Sequence, residues 1–319
     1  MLSDFAPFVT HYTRTHFNYV NYQVPPDYSS IKDRWSVFYV QVLGSVQTSL
    51  PIILATVFTS LALVSVYSIY NLVAAGMDAV LGIFISGLSA SFGDVIARKQ
   101  RKTLQRASQE FEQTYYMIIT TIYSTAAWLI IPFIKLYTQG IHDTNYIFPW
   151  LGFLFICNSL FAQLKSPQGM LVLAAGKYRE TQNRALIQAI IGAVGGTIGA
   201  VFWGLYGILI GAICASLYRV IDLLFFSAKH ITRLSYVRTL RRQAVVLGVF
   251  FISGTMSFLF PLAINSVLQW VLWGVLLSLT SALAVILVNF LVDAKNMMHI
   301  WERLKKLTVS LLNKHPQNQ

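Results

Sequence analysis

Charged residues divide this chain into long uncharged stretches. No Asp, Glu, Lys or Arg occurs between Arg34 and Asp78, a gap of 43 residues. Further gaps separate Glu112 from Lys135 (22 residues), Asp143 from Lys165 (21), Arg184 from Arg219 (34) and Arg242 from Asp293 (50). A helix crossing a hydrocarbon core of about 30 Å needs about 20 mostly apolar residues at about 1.5 Å of rise each. The apolar runs are too long for the strands of a membrane barrel, which alternate over about 10 residues. The pattern predicts an all-α polytopic membrane bundle of about eight transmembrane helices. They fall over 36–58, 61–94, 113–138, 147–175, 182–203, 205–228, 244–262 and 267–292. The longest gap holds two of them, split near 261–265, and the 43-residue gap divides near 59–60. The second and fourth are long enough to project, tilt or break. Pro167 removes a backbone donor from the fourth, and Ser166 and Gln168 are placed to cover the freed carbonyl.

Composition agrees. Of 319 residues, 55% are hydrophobic and only 11% charged, with a mean hydropathy of +0.59. Soluble domains carry about 25% charged residues, so a cytosolic enzyme and a disordered chain are both excluded. The net charge of +12 would point to nucleic acid in a soluble chain. Here its distribution argues otherwise, and no nucleic-acid partner is expected. Lys and Arg cluster at 98–106, 177–184, 229–242 and 295–314, and Arg14, Lys32 and Arg34 precede the first span. The alternate connections near 59, 139–146, 204 and 262–266 hold none, and Lys135 alone lies near that face. By the positive-inside rule both termini are cytoplasmic. The tail from Asp293 places Met297, Ile300, Trp301, Leu304 and Leu307 at helical spacing among basic residues. That pattern fits an amphipathic helix at an anionic leaflet. Residues 1–35 are rich in Tyr and Phe and lack the apolar core of a signal peptide.

Catalytic and metal-binding patterns are missing. The six His are scattered, and no P-loop, G-x-S-x-G or H-E-x-x-H occurs. An enzyme is not expected, nor a bound metal or cofactor. Cys157 and Cys214 fall inside predicted helices and read as packing residues. Charges within spans are costly, so they pair or line a wet cavity. Asp78 lies near the middle of the second helix. It reads as an ion, proton or substrate contact, or as a hydrogen-bonded Asp in a break after Gly76. Lys165 precedes Pro167, and reads as a cation meeting an anionic substrate or as a Lys snorkelling to the interface. Arg219 and Asp222, spaced i, i+3, share a helix face and can pair, as can Asp94 and Arg98. Gly192, Gly196, Gly199, Gly207 and Gly211 form small-residue faces for close helix packing. Tyr67, Tyr70, Tyr115, Tyr116, Trp150, Trp203, Trp270 and Trp273 read as interface anchors.

Several strings taken together carry a resemblance. They are SVYSIYNLVAAGM (65–77), SGLSASFGDVIARKQRKTLQRASQEFEQTYY (86–116), IPFIKLYTQGIHDTNYIFP (131–149), SPQGMLVLAAGKYRETQNRALIQA (166–189) and GLYGILIGAICASLYRVIDLLFF (204–226). In order and spacing, over about residues 16–230, the chain resembles the bacterial polysaccharide-biosynthesis (Wzx-like) flippases. Their superfamily also holds multidrug exporters and the lipid II flippase. The resemblance implies two six-helix lobes with two extra C-terminal helices, of which this chain matches the second lobe and the extra pair, the first lobe being missing. The expected organisation is then a cytoplasmic linker (1–35), a six-helix lobe (36–228), a basic loop (229–243), a two-helix hairpin (244–292) and a basic tail (293–319). It implies a transporter component in the bacterial plasma (inner) membrane. Such a component flips undecaprenyl-diphosphate-linked oligosaccharide for capsule, exopolysaccharide or O-antigen synthesis, with coupling to a proton or sodium gradient. Lys165 and Arg219 are the expected head-group contacts, and Asp78 a coupling or sugar contact. Expected partners are the bilayer, the lipid-linked oligosaccharide, polysaccharide-synthesis enzymes, and either a separate first-lobe chain or a second copy. A truncated, inactive product is a third possibility. Competing classes are a multidrug or cation antiporter of the same superfamily and a non-transporting membrane interaction protein.

Overall fold

In an apolar solvent every backbone N–H and C=O must find its partner within the chain, so the uncharged stretches wind into helices. The computed structural model of the protein describes residues 34–313 and, among these, contains helices and no strand. The elements are α1 (Arg34–Phe58), α2 (Leu61–Ala97), α3 (Arg101–Tyr137), α4 (Pro149–Leu164), α5 (Ser166–Ala174), α6 (Tyr178–Ser227), a π-helical turn (Ala228–Thr232), α7 (Tyr236–Leu259) and α8 (Val267–Asn313). All but the last two positions of the expected linker 1–35 lie outside the described residues. The amphipathic face expected from Ile300 to Leu307 lies outside the described side chains.

Six helices among the described residues are long and apolar enough to cross a membrane; the chain is a multi-pass membrane protein. Two features account for the difference from the expected eight. The fourth rod is interrupted at Lys165 into pieces of 16 and 9 residues, each too short to qualify. The fifth and sixth are one continuous helical stretch that turns on Gly204, whose φ of 56° and ψ of −133° no other residue type adopts readily. The chain doubles back there. A side chain on Gly207 would collide with the Gly199 carbonyl, and one on Gly211 with the Gly196 backbone. The small-residue faces thus meet each other, as the glycine spacing predicts.

Other boundaries move outward. α3 begins at Arg101 and α7 at Tyr236, earlier than the apolar windows start. Residues 101–112 are mostly good helix formers. They carry Leu104 into a small cluster with Phe92, Met170 and Leu171. The helix therefore continues past the apolar core into the polar end. α2 runs unbroken through Gly76 for 37 residues, so Asp78 does not sit in a break. Ser60 caps it by accepting from the Leu63 N–H.

The main core lies between α2, α3, α4 and α6. It corrects part of the aromatic reading. Tyr67, Tyr70, Tyr115 and Tyr116 are all buried, at 3% exposure or less; Tyr70 stacks on Phe155 at 5.6 Å and donates to the Tyr146 carbonyl at 2.9 Å. Trp150 and Trp203 stay exposed. α7 and α8, the two helices of the expected hairpin, both pack on α3 far more than on each other. Trp128 Nε1 on α3 donates to Ser253 Oγ of α7, and Trp270 Nε1 of α8 donates to the Leu129 carbonyl. α8 bends at Asp293 (φ −146°, ψ 59°), where the tail was expected to begin.

Candidate functional site

α1, α2, α4 and α6 enclose a cavity of about 580 Å³. It exists because the residues facing it are small. Ala74, Ala75, Ala79, Ala162, Gly192, Ala212 and Ala215 all line it. Into this space the structure brings Asp78 from α2 and Lys165 from the end of α4.

The two charges differ in how they are held. Asp78 accepts from Tyr123 Oη at 2.6 Å and Gln163 Nε2 at 3.1 Å on one oxygen, and from Ser159 Oγ at 3.1 Å on the other. All three donors are neutral. Gln163 is itself held by Tyr115 Oη at 2.6 Å and Ser166 Oγ at 2.9 Å. Lys165 is partly buried, and among the described residues its ammonium has no hydrogen-bond or ion-pair partner. The cavity thus holds one anion and one cation that share a space without pairing.

The break at Lys165 is secured differently from the expectation. Ser166 bonds the Gln163 side chain, and Gln168 turns to Glu112 and Tyr116. The Gln163 carbonyl instead meets the Lys165 N–H, and the Leu164 carbonyl accepts from Tyr116 Oη at 3.0 Å.

Carboxamides complete the lining, and charge-based reasoning passed over them. Gln47, Asn71, Asn158 and Gln188 all face the cavity. Gln47 donates to the Ala185 carbonyl; the side chains of the other three make no hydrogen bond within the described residues. Each carboxamide offers two donors and an acceptor. Asn71, Asn158 and Gln188 fall within charge-free stretches, and a search of those stretches for carboxamides would have found them. Tyr67 and Phe155 add an aromatic wall, with ring centroids 4.9 Å apart.

Arg219 does not line the cavity. Its guanidinium binds Asp222 at 2.8 Å, and Asp222 also takes Arg184 at 2.6 Å. Arg219 and Asp222 are both buried, and Arg184 lies over the Phe226 ring. This is the ion pair that the i, i+3 spacing allows, extended by a third member. Asp94 and Arg98 pair at 2.9 Å on the exposed surface, where such a bridge stabilises little.

A second polar cluster lies where α3, α5, α7 and α8 meet. Arg242, 3% exposed, binds Glu112 at 3.2 Å, Asp293 at 2.8 Å, Gln113 Oε1 and the Gln109 carbonyl. Glu112 also accepts from Thr239 and Gln168, and Gln243 donates to Tyr116 Oη. Sequence reading had placed Glu112 and Arg242 only as charges bounding spans.

Among the described residues no three His, Cys, Asp or Glu side chains are placed to hold a metal. Cys157 is buried, Cys214 is exposed and both are free. No protein-family model, curated protein or solved structure matches the chain.

Proposed function

We propose that this chain is a membrane transporter component that moves an undecaprenyl-diphosphate-linked oligosaccharide across the bacterial plasma membrane for surface-polysaccharide synthesis, in a bundle that passes the membrane eight times. The observation that carries this reading is a single cavity that combines an unpaired ammonium, Lys165, with three carboxamides free to bond, Asn71, Asn158 and Gln188.

A diphosphate-linked sugar presents the two matching chemistries. Its phosphates are anionic and lose solvation on entering a low-dielectric space, a cost that a positioned cation offsets. Its hydroxyls donate and accept at once, as carboxamides do. Arg219 is already held by Asp222, so Lys165 is the head-group contact on this reading. Asp78, ringed by neutral donors, is the coupling group for a proton or sodium gradient.

Alternating access needs two bodies that rock about the site. Beside the cavity, Gly44, Ser45 and Thr48 of α1 and Asn71 and Ala75 of α2 are exposed. These small and polar residues make a poor lipid face and a good helix-packing face. A separate chain or a second copy meets them there. The basic end of the bundle is the surface for polysaccharide-synthesis enzymes.

The test is binding of a lipid-diphosphate oligosaccharide by the purified chain. Lys165→Ala weakens it about tenfold, the scale of a lost charge-assisted hydrogen bond. Lys165→Arg keeps most of it, and Arg219→Ala changes it less than Lys165→Ala does. Wild-type affinity in Lys165→Ala sinks the head-group assignment. A cation antiporter of the same superfamily is the second reading, favoured by one observation: among the described residues Asp78 has no ion-pair partner, in a cavity with an aromatic wall. It predicts binding of an organic cation that Asp78→Asn abolishes and Lys165→Ala does not.

A further inference from the structure

A second cavity, of about 230 Å³, lies between α3, α4, α7 and the α7–α8 connection, at the end of the bundle opposite the basic loops. Trp128, Pro132, Phe153, Phe258 and Leu262 line it, and Lys135 stands among them. Four features converge there. The cavity is much larger than the roughly 30 Å³ share of one water, and its lining is largely apolar, so hydrocarbon suits it better than water. Trp150, Leu259 and Phe260, close by in the chain, are each more than 60% exposed, which marks this flank as one that faces acyl chains. Lys135 is exposed, and among the described residues its ammonium has no hydrogen-bond or ion-pair partner. Within the cavity wall, Pro132 has no N–H to give the Trp128 carbonyl four residues earlier, so a helical acceptor lacks its usual donor.

We propose that this cavity is a site for one anionic glycerophospholipid, its acyl chain in the cavity, its phosphate on the Lys135 ammonium and a head-group hydroxyl donating to the Trp128 carbonyl. Charge complementarity selects the occupant. Among the described residues Lys135 is the lone Lys or Arg near this end of the bundle, with His142 and Asp143 exposed on the connection beyond it, and it stands at the rim of an apolar slot. A cation over hydrocarbon fits an anionic amphiphile and neither a free sugar nor an apolar molecule. Lys135 also lies in the last turn of α3, where a cation suits the helix dipole. That role needs no cavity, and the two are separable by experiment. The site is distinct from the cavity of Asp78 and Lys165, and it does not depend on the transport reading.

Native mass spectrometry of the full chain tests this, with phosphatidylglycerol and phosphatidylcholine of identical acyl chains as probes. The expected result is one retained phosphatidylglycerol and little phosphatidylcholine. Lys135→Ala weakens retention about fivefold, the scale for one basic residue at an anionic lipid surface, and Lys135→Arg preserves it. Leu262→Trp, which fills the slot without altering charge, reduces retention while thermal unfolding stays unchanged. Equal retention of the two lipids overturns the proposal. So does wild-type retention in Lys135→Ala, or displacement of phosphatidylglycerol from the wild-type chain by stoichiometric undecaprenyl phosphate.

Discussion

Two of the polar clusters among the described residues, those of Arg242 and of Asp78 with Lys165, are built on opposite principles. Around Arg242 the charges are in direct contact, one cation to two carboxylates, although its buried Nε makes no hydrogen bond among the described residues. One guanidinium takes two carboxylates, a side-chain oxygen and a carbonyl, and Glu112 is bonded from both α5 and α7. Around Asp78 and Lys165 the charges share a space without touching, and three carboxamides have no hydrogen-bond partner among the described residues. The first cluster joins α3, α5, α7 and α8 where they pack; the second faces about 580 Å³ of open volume. The contrast separates a polar group that holds a fold from one that awaits a ligand. In a structural network the charged members bind each other directly. A binding site is recognised by the capacity it leaves unused.

Substitutions can break this comparison at either end. The largest loss of stability is expected for Arg242→Ala, about 3 kcal/mol, because it leaves the partly buried Glu112 and Asp293 without their cation; chemical denaturation in detergent measures it. A loss below about 1 kcal/mol, the range of surface bridges, would place this cluster with exposed pairs such as Asp94–Arg98. Asp78→Ala comes next, at about 1–3 kcal/mol, since Tyr123, Ser159 and Gln163 would lose a shared acceptor. Asp78→Asn keeps an acceptor and costs less. The smallest change is expected for Lys165→Ala and Asn158→Ala. Neither side chain has a hydrogen-bond or ion-pair partner among the described residues, so both stay within about 0.5 kcal/mol of the parent chain while ligand binding falls. If Lys165→Ala instead unfolds the chain as Arg242→Ala does, the distinction fails.

The two clusters were unequally legible in the sequence. Asp78 and Lys165 stand out because each interrupts a long apolar run, and a charge within a span signals function or pairing. Their presence in one cavity was not legible, since 87 positions separate them along the chain. Arg219 stood out by the same reasoning, and the i, i+3 partner Asp222 that explains it was visible too. Glu112 and Arg242 were hidden for a different reason. Each borders a charge-free run, where a charge costs little and draws no attention, and only the packing of α7 on α3 buries them together. The tyrosines misled in the same way: near predicted span ends they read as anchors, whereas Tyr70 and Tyr116 have their hydroxyls bonded inside the bundle. Distance from a helix end does not say which face a residue occupies.

By itself the sequence determined the solvent and the class. Uncharged runs of 20 residues or more leave the backbone no partner in lipid but itself, and only helix satisfies it locally. The glycine spacing determined that two segments could touch backbone to backbone, because a missing side chain is a local property. Tertiary structure alone decided which polar groups are spent and which are free. Hydrogen bonds and ion pairs have a reach of about 3–4 Å, so they are settled by which helices stand next to each other. Arg242 found its carboxylates through that neighbourhood and became part of the frame. Lys165, facing small residues across open space, found none, and that makes it the candidate for chemistry.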